Sequence, residues 1–140
     1  KVSIMPGALE FSRELSKAGI AQALVSASPR PIVDAVLTGM AEKYFECSVA
    51  AGDIERTKPF PDPYLHAAKL LGVDIKHCLI FEDSPTGLTA ARASGAIVVG
   101  IPHFVEVLEE PRLKIVKSFN QVSMESLVNW SQINQRELGR

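Results

Sequence analysis

Apolar and polar residues alternate along this chain in two periods, and the switches between them lay out its elements. Ala8, Leu9, Phe11, Leu15 and Ala18 form a one-sided stripe of helical period, which predicts a helix over 8–18, with Gly19 as its C-terminal cap. Residues 21–25 are a short, largely apolar stretch with strand character. Ser28 and Pro29 then open a second helix carrying Ile32, Val33, Val36, Leu37 and Met40, with Ser28 read as its cap. Residues 47–51 read as another strand, ended by Gly52. The segment Thr57-Lys58-Pro59-Phe60-Pro61-Asp62-Pro63 excludes helix and central strand, because proline lacks the amide donor, and predicts a stiff, extended loop. Asp62 as cap and Pro63 at the first position start a third helix that runs through Leu71 and stops at Gly72.

The second half repeats the alternation. Residues 78–81 predict a strand, Pro85 to Ser94 a helix of small residues capped by Ser84 and ended by Gly95, and 96–101 a strand closed by Pro102. Residues 114–117 form a weak last strand. Met124, Leu127, Val128 and Trp130 mark a final helix, and the polar stretch 132–140 is expected to fray. Strands alternating with helices of about ten residues mean βαβ units. The fold class is therefore α/β: a Rossmann-like, three-layer αβα arrangement around a mostly parallel sheet. Right-handed crossovers pair strand 21–25 with 47–51 and strand 78–81 with 96–101.

Composition narrows the picture without changing it. A chain of 140 residues is one domain at most, and 46% hydrophobic content is enough for a core. A net charge of -1 shows no basic excess, so neither nucleic acid nor an anionic membrane is an expected partner. No apolar run approaches the roughly 18 residues of a membrane span. Lys1-Val2-Ser3-Ile4-Met5-Pro6-Gly7 lacks the apolar stretch of a signal peptide and does not begin with Met, so a processed, cleaved or partial product is expected. Two cysteines, Cys47 and Cys78, make no disulfide framework and suit a reducing, cytoplasmic setting.

Three loops follow predicted strand ends, and each carries a group suited to phosphate chemistry. Ser26 sits where the first strand runs out, so its hydroxyl and the next backbone N–H, that of Ala27, can both face an anion, with the following helix adding its positive end. Lys58 is a compact positive charge held between prolines. Glu82 and Asp83 end the 78–81 strand. Two carboxylates at the mouth of an α/β sheet suit a hard divalent cation such as Mg²⁺; the plainer reading is a pair of acids at a helix N-terminus. His66, His77 and His103 have no partner at triad-like or metal-like spacing and read as structural or surface residues. There is no Gly-x-Gly-x-x-Gly and no P-loop.

Val25-Ser26-Ala27-Ser28, Lys58-Pro59-x-Pro61-Asp62-Pro63 and Ile80-Phe81-Glu82-Asp83-Ser84-x-x-Gly87 resemble, in order and spacing, motifs two to four of the haloacid dehalogenase superfamily, and most of all its β-phosphoglucomutase-like phosphatase branch. The resemblance runs from about Met5-Pro6-Gly7 to Val122. It implies a Mg²⁺-dependent phosphomonoester hydrolase that works on a small phosphorylated metabolite through an aspartyl-phosphate. Ser26 would hydrogen-bond the phosphoryl group with the Ala27 backbone beside it, Lys58 would neutralise phosphate and nucleophile charge, and Asp83 would hold Mg²⁺, with Glu82 binding it directly or through water.

The family's first motif, Asp-x-Asp followed by Gly-Thr, is not in these residues. The resemblance therefore implies a partial core domain over 1–140, without the cap and without the central strand that carries the nucleophile. That strand would lie between the 21–25 and 78–81 strands, which would then be about 10 Å apart and not hydrogen-bonded to each other. An intramolecular phosphomutase of the same branch, and an inactive fragment or binding module, are the alternatives. A phospho-receiver domain fails on the order of its acidic pair and lysine.

Overall fold

The computed structural model describes residues 7–101 and 109–138, with side chains through 131 except that of residue 120. Met5, Pro6, Pro102 and His103 lie outside the described residues. In chain order the elements are α1 (Ala8–Lys17), β1 (Ala23–Pro29), α2 (Arg30–Thr38), β2 (Cys47–Ala51), α3 (Asp62–Leu71), β3 (Leu79–Glu82), α4 (Pro85–Ser94), β4 (Ile97–Gly100), β5 (Leu113–Ile115) and α5 (Met124–Leu138). Short 3₁₀ turns at Ile75–His77 and Phe119–Gln121 complete the chain. No helix of the described residues is long and apolar enough to cross a membrane.

Among the described residues the named strands pair with one another in parallel, in two sheets: β1 with β2, and β3–β4–β5. Val25 pairs with Val49, and Phe81 with Val99. Both pairings expected from right-handed crossovers are present. β1 and β3 are not hydrogen-bonded to each other, so each keeps one ladder edge unpaired among the described residues.

Side-chain alternation on β3 and β4 divides the core between two faces. Ile80 and Val98 point to one face, where Tyr64 of α3 and Leu88, Ala90 and Ala91 of α4 cover them. Ala90 and Ala91 are fully buried, so their small side chains let α4 lie close on the sheet. Leu79, Phe81 and Val99 point to the other face, against Phe11 and Leu15 of α1 and Leu127 of α5. The Phe11 and Phe81 rings meet edge to face, 5.2 Å apart, and Phe119 packs on both. This is the expected three-layer α/β architecture. Val25 of β1 packs into the same cluster as Ile80, so the two sheets share apolar packing although no ladder joins them.

Several boundaries differ from the sequence reading, each for a local reason. β1 continues to Pro29 through a register shift after Val25, and α2 starts at Arg30. Ser28 is not the cap: Pro29 holds that position with extended backbone and no side-chain cap, while the Ser28 N–H donates to Ser26 Oγ at 3.0 Å. Asp62 is the first residue of α3 rather than its cap, and Arg56 takes both its carboxylate oxygens at 3.1 Å. The proline segment is turned rather than extended: Phe60 N–H donates to Thr57 O at 2.9 Å across a cis Lys58–Pro59 bond. β5 begins at Leu113, whose side chain is buried against Val98, and α5 runs through the polar stretch to Leu138.

One polar cluster ties the β1–β2 sheet to its loops. Arg30 donates to Ser48 Oγ at 2.6 Å, to Ser48 O at 3.2 Å, to Asp34 and to Asp53; Asp53 also accepts from Ala50 N–H at 2.9 Å. The Arg30 hydrogen bond, then that of Ala50, holds the Asp53 carboxyl below its ordinary value. Asp53→Ala is expected to cost about 1 kcal/mol, because solvent screens the exposed charge pair and the lost Ala50 acceptor dominates. A folded-state value that is depressed contributes stability present above the unfolded value and lost as pH falls through the folded one. Urea denaturation should therefore show the cost of Asp53→Ala near neutral pH and a smaller cost below the carboxylate range, where the protonated carboxyl still accepts from Ala50.

Candidate functional site

β3 ends at Glu82, and two residues later the chain enters α4. Ser84 has extended backbone (φ −102°, ψ 153°) and its Oγ accepts from Gly87 N–H at 3.0 Å, which caps the helix; Pro85 at its first position needs no amide partner. This tight strand-to-helix turn makes the Glu82 side chain fold back beneath the first turn of α4. Gly87 leaves the space for it: a Cβ at position 87 would lie 2.0 Å from Glu82 Cδ.

Glu82 is 9% exposed, and both of its carboxylate oxygens are committed. Oε1 accepts from Asp83 N–H at 3.1 Å and from the Ser84 N–H and Oγ at 3.4 and 3.3 Å. Oε2 accepts from Lys58 Nζ at 2.8 Å and from the Tyr64 hydroxyl. Burial pushes this carboxyl up. The Lys58 charge and hydrogen bond, the Tyr64 hydroxyl and the Asp83 N–H outweigh burial and hold it below the usual carboxylate range. Burial, and then the Glu82 charge, push the Tyr64 phenol far above its ordinary value, so it stays protonated and donates.

Lys58 connects the two sheets. Its ammonium reaches Val25 O at 3.4 Å in β1, just before the register shift, as well as Glu82 at the end of β3, and lies 5.2 Å from the centre of the Tyr64 ring. The structure thus brings Lys58 directly onto Glu82 and beside the Val25–Ser26 peptide. Ser26 Oγ accepts from Ser28 N–H where the β1 register shifts, and Ala27 is exposed in that irregular stretch. Asp83 is half-buried between Glu82 and the Ser84 cap. The acidic pair therefore divides: Glu82 is a buried hydrogen-bond hub, and coordinating a metal directly would cost it one of its donors.

Among the described residues, no group of three or more His, Cys, Asp or Glu side chains could hold a metal ion. His66 lies on α3 and His77 in the 3₁₀ turn before β3, so neither stands at a strand's carboxyl end. Two site residues had no role in the sequence reading. Tyr64 reads as a helix-face aromatic, and its partner lies 18 residues away. Gly87 is visible in the Ser84-x-x-Gly87 pattern; glycine inside a helix costs about 1 kcal/mol relative to alanine, which signals a packing reason.

A family model described as haloacid dehalogenase-like hydrolase matches residues 1–95. The CbbY protein of Rhodobacter capsulatus is 36% identical over 106 residues, covering 73% of this chain and 47% of that protein. Hexitol phosphatase A of Escherichia coli is 34% identical over 102 residues, covering 71% of this chain and 46% of that one. The crystal structure of a HAD hydrolase, family IA, variant 3 from Entamoeba histolytica superposes with a TM-score of 0.80 at 27% identity, over 94% of this chain and 62% of the other. This chain therefore spans about half the length of those curated relatives.

Proposed function

Since the chain belongs to the haloacid dehalogenase-like hydrolases, we propose that residues 1–140 are part of the core of a Mg²⁺-dependent phosphomonoester hydrolase. Its substrate is a small phosphorylated metabolite, and the hexitol phosphatase among its relatives supports a sugar phosphate. The observation that carries this reading is the Lys58 ammonium, held in a nearly dry site between Val25 of β1, where its register shifts, and Glu82 at the carboxyl end of β3. A positive charge preorganised there meets the negative charge that develops on a transferring phosphoryl group. Ser26 and the Ala27 backbone, in the irregular part of β1, would take phosphoryl oxygens.

The nucleophile would be a carboxylate attacking phosphorus as the ester P–O bond breaks, with the leaving alkoxide taking a proton from an acid. Water would then cleave the acyl phosphate. No Asp-x-Asp followed by Gly-Thr occurs in the 140 residues. The unpaired edges of β1 and β3 are where a strand bearing the nucleophile would fit, since open edges of buried strands are poorly tolerated. Asp83 would hold Mg²⁺, and Glu82, with both oxygens occupied, would reach it through water. Bound there, the cation would neutralise phosphoryl charge. A cytoplasmic setting suits the free Cys47 and Cys78, whose thiols burial pushes up and so away from reactive thiolate.

The test is Mg²⁺-dependent hydrolysis of p-nitrophenyl phosphate by this polypeptide and by an upstream-extended form. Turnover is expected only from the extended form. Robust turnover by the 140 residues alone would overturn the account of the nucleophile, and none from either would overturn the hydrolase reading. In the extended form, Asp83→Asn should raise the Mg²⁺ concentration for half-maximal rate by at least about tenfold, because losing even a supporting partner of a ligand has that effect.

A further inference from the structure

We propose that Tyr64 is a positioning residue for Lys58, its hydroxyl and ring together setting how much of the ammonium charge Glu82 leaves available to a phosphoryl group. The proposal rests on the phosphoryl-transfer reading above. Tyr64 stands in the first turn of α3, directly after the turn that carries Lys58, and is 5% exposed. It meets both members of the ion pair. Its hydroxyl donates to Glu82 Oε2, the oxygen that also accepts from Lys58, and its ring lies 5.2 Å from the ammonium.

A buried tyrosine needs an acceptor for its hydroxyl, and simple satisfaction is the plainer explanation. Two features go beyond it. Glu82 already has backbone and side-chain donors on Oε1, so Tyr64 is not needed to satisfy the carboxylate as a whole. It binds the oxygen that faces Lys58. A second donor on that oxygen disperses its charge, so the carboxylate neutralises the ammonium less completely. The ring supplies a further cation-stabilising surface in a site with little water. Lys58 is thereby kept in place without being silenced by its own counter-ion.

Tyr64→Phe keeps the ring and the packing and deletes the hydroxyl. The first readout is the side-chain ¹⁵N ammonium resonance of Lys58 in the natural protein that carries this chain, observable when the group is held and its protons exchange slowly. Tyr64→Phe should shift it or broaden it away while the thermal midpoint changes little. The second readout is p-nitrophenyl phosphate turnover. Here kcat should fall about tenfold, the scale of one charge-assisted hydrogen bond, with KM within roughly twofold. A tyrosine that only packs would leave the Lys58 resonance unmoved. An unmoved resonance overturns the proposal whether or not kcat falls, and so does an unchanged kcat in an active protein. A moved resonance in a protein whose wild type has no turnover supports the positioning role and refutes the hydrolase reading instead. Should Tyr64→Phe fail to fold, the wild type alone decides: a slowly exchanging Tyr64 hydroxyl proton, resolved downfield and close to Lys58, is required, and its absence overturns the proposal.

Discussion

Alanine at position 87 is expected to destabilise the protein by about 2–4 kcal/mol, the reverse of what helix propensity alone dictates. Gly87 lies inside α4, where alanine would ordinarily gain about 1 kcal/mol. Here its Cβ would lie 2.0 Å from Glu82 Cδ, 2.2 Å from Oε2 and 2.5 Å from Cγ. A loose side chain would move aside. Glu82 cannot do so without cost, because Lys58, Tyr64, Asp83 and Ser84 all donate to it. Unseating it strands a buried ammonium and a buried phenol, and breaking a buried pair costs about 3–5 kcal/mol, which exceeds the propensity gain. Urea denaturation measures the net effect. In a Glu82→Ala background the same substitution should be close to neutral or stabilising, since the obstruction is gone; equal costs in both backgrounds would place the clash elsewhere.

Lys58→Ala is expected to lower turnover of the extended enzyme by about a hundredfold or more, the scale of removing one preorganised charge from a site of developing negative charge. Stability should fall with it. In the wild type the Glu82 carboxyl is held below its ordinary value, so its contribution is present above the unfolded value and is lost as pH falls through the folded one. Without Lys58, burial becomes the dominant influence and raises that carboxyl, so the variant gains relative stability on protonation. The stability gap between wild type and Lys58→Ala should therefore be wide near neutral pH and narrow on acidification. A gap independent of pH, or full activity in the variant, would leave Lys58 a structural role only.

These two experiments address the same pair of residues from opposite sides. Gly87 provides the space in which Glu82 sits, and Lys58 provides the charge that makes a buried carboxylate tolerable there. Tyr64 joins them without belonging to either motif. Its contribution is legible only once α3 is packed against β3 and β4, because its hydroxyl reaches a residue that follows a further turn and strand.

Local signals were readable from the chain alone wherever a few consecutive residues decide the backbone. The bounds of β2 and α4, the Ser84 cap and the left-handed Gly72 and Gly95 after α3 and α4 all follow from such short-range chemistry. The parallel pairing within each sheet follows as well, because right-handed crossovers leave little choice. Ser26 and the Glu82–Asp83 pair were recognisable because each stands at the end of an apolar run, and Lys58 because prolines flank it. What the sequence alone left undecided is equally specific. It could not separate Glu82 from Asp83, whose side chains look equivalent in a row of letters. It assigned the cap of α2 to Ser28, where Ser26 instead captures the Ser28 amide. It predicted an extended proline segment that positions Lys58 for phosphate, whereas the segment turns and delivers Lys58 to a carboxylate 24 residues away. Secondary structure is chosen by backbone sterics and periodicity over a few residues. The character of a charged group is chosen by desolvation and by the donors around it, and only tertiary packing brings residues 58, 64, 82 and 87 into one dry site.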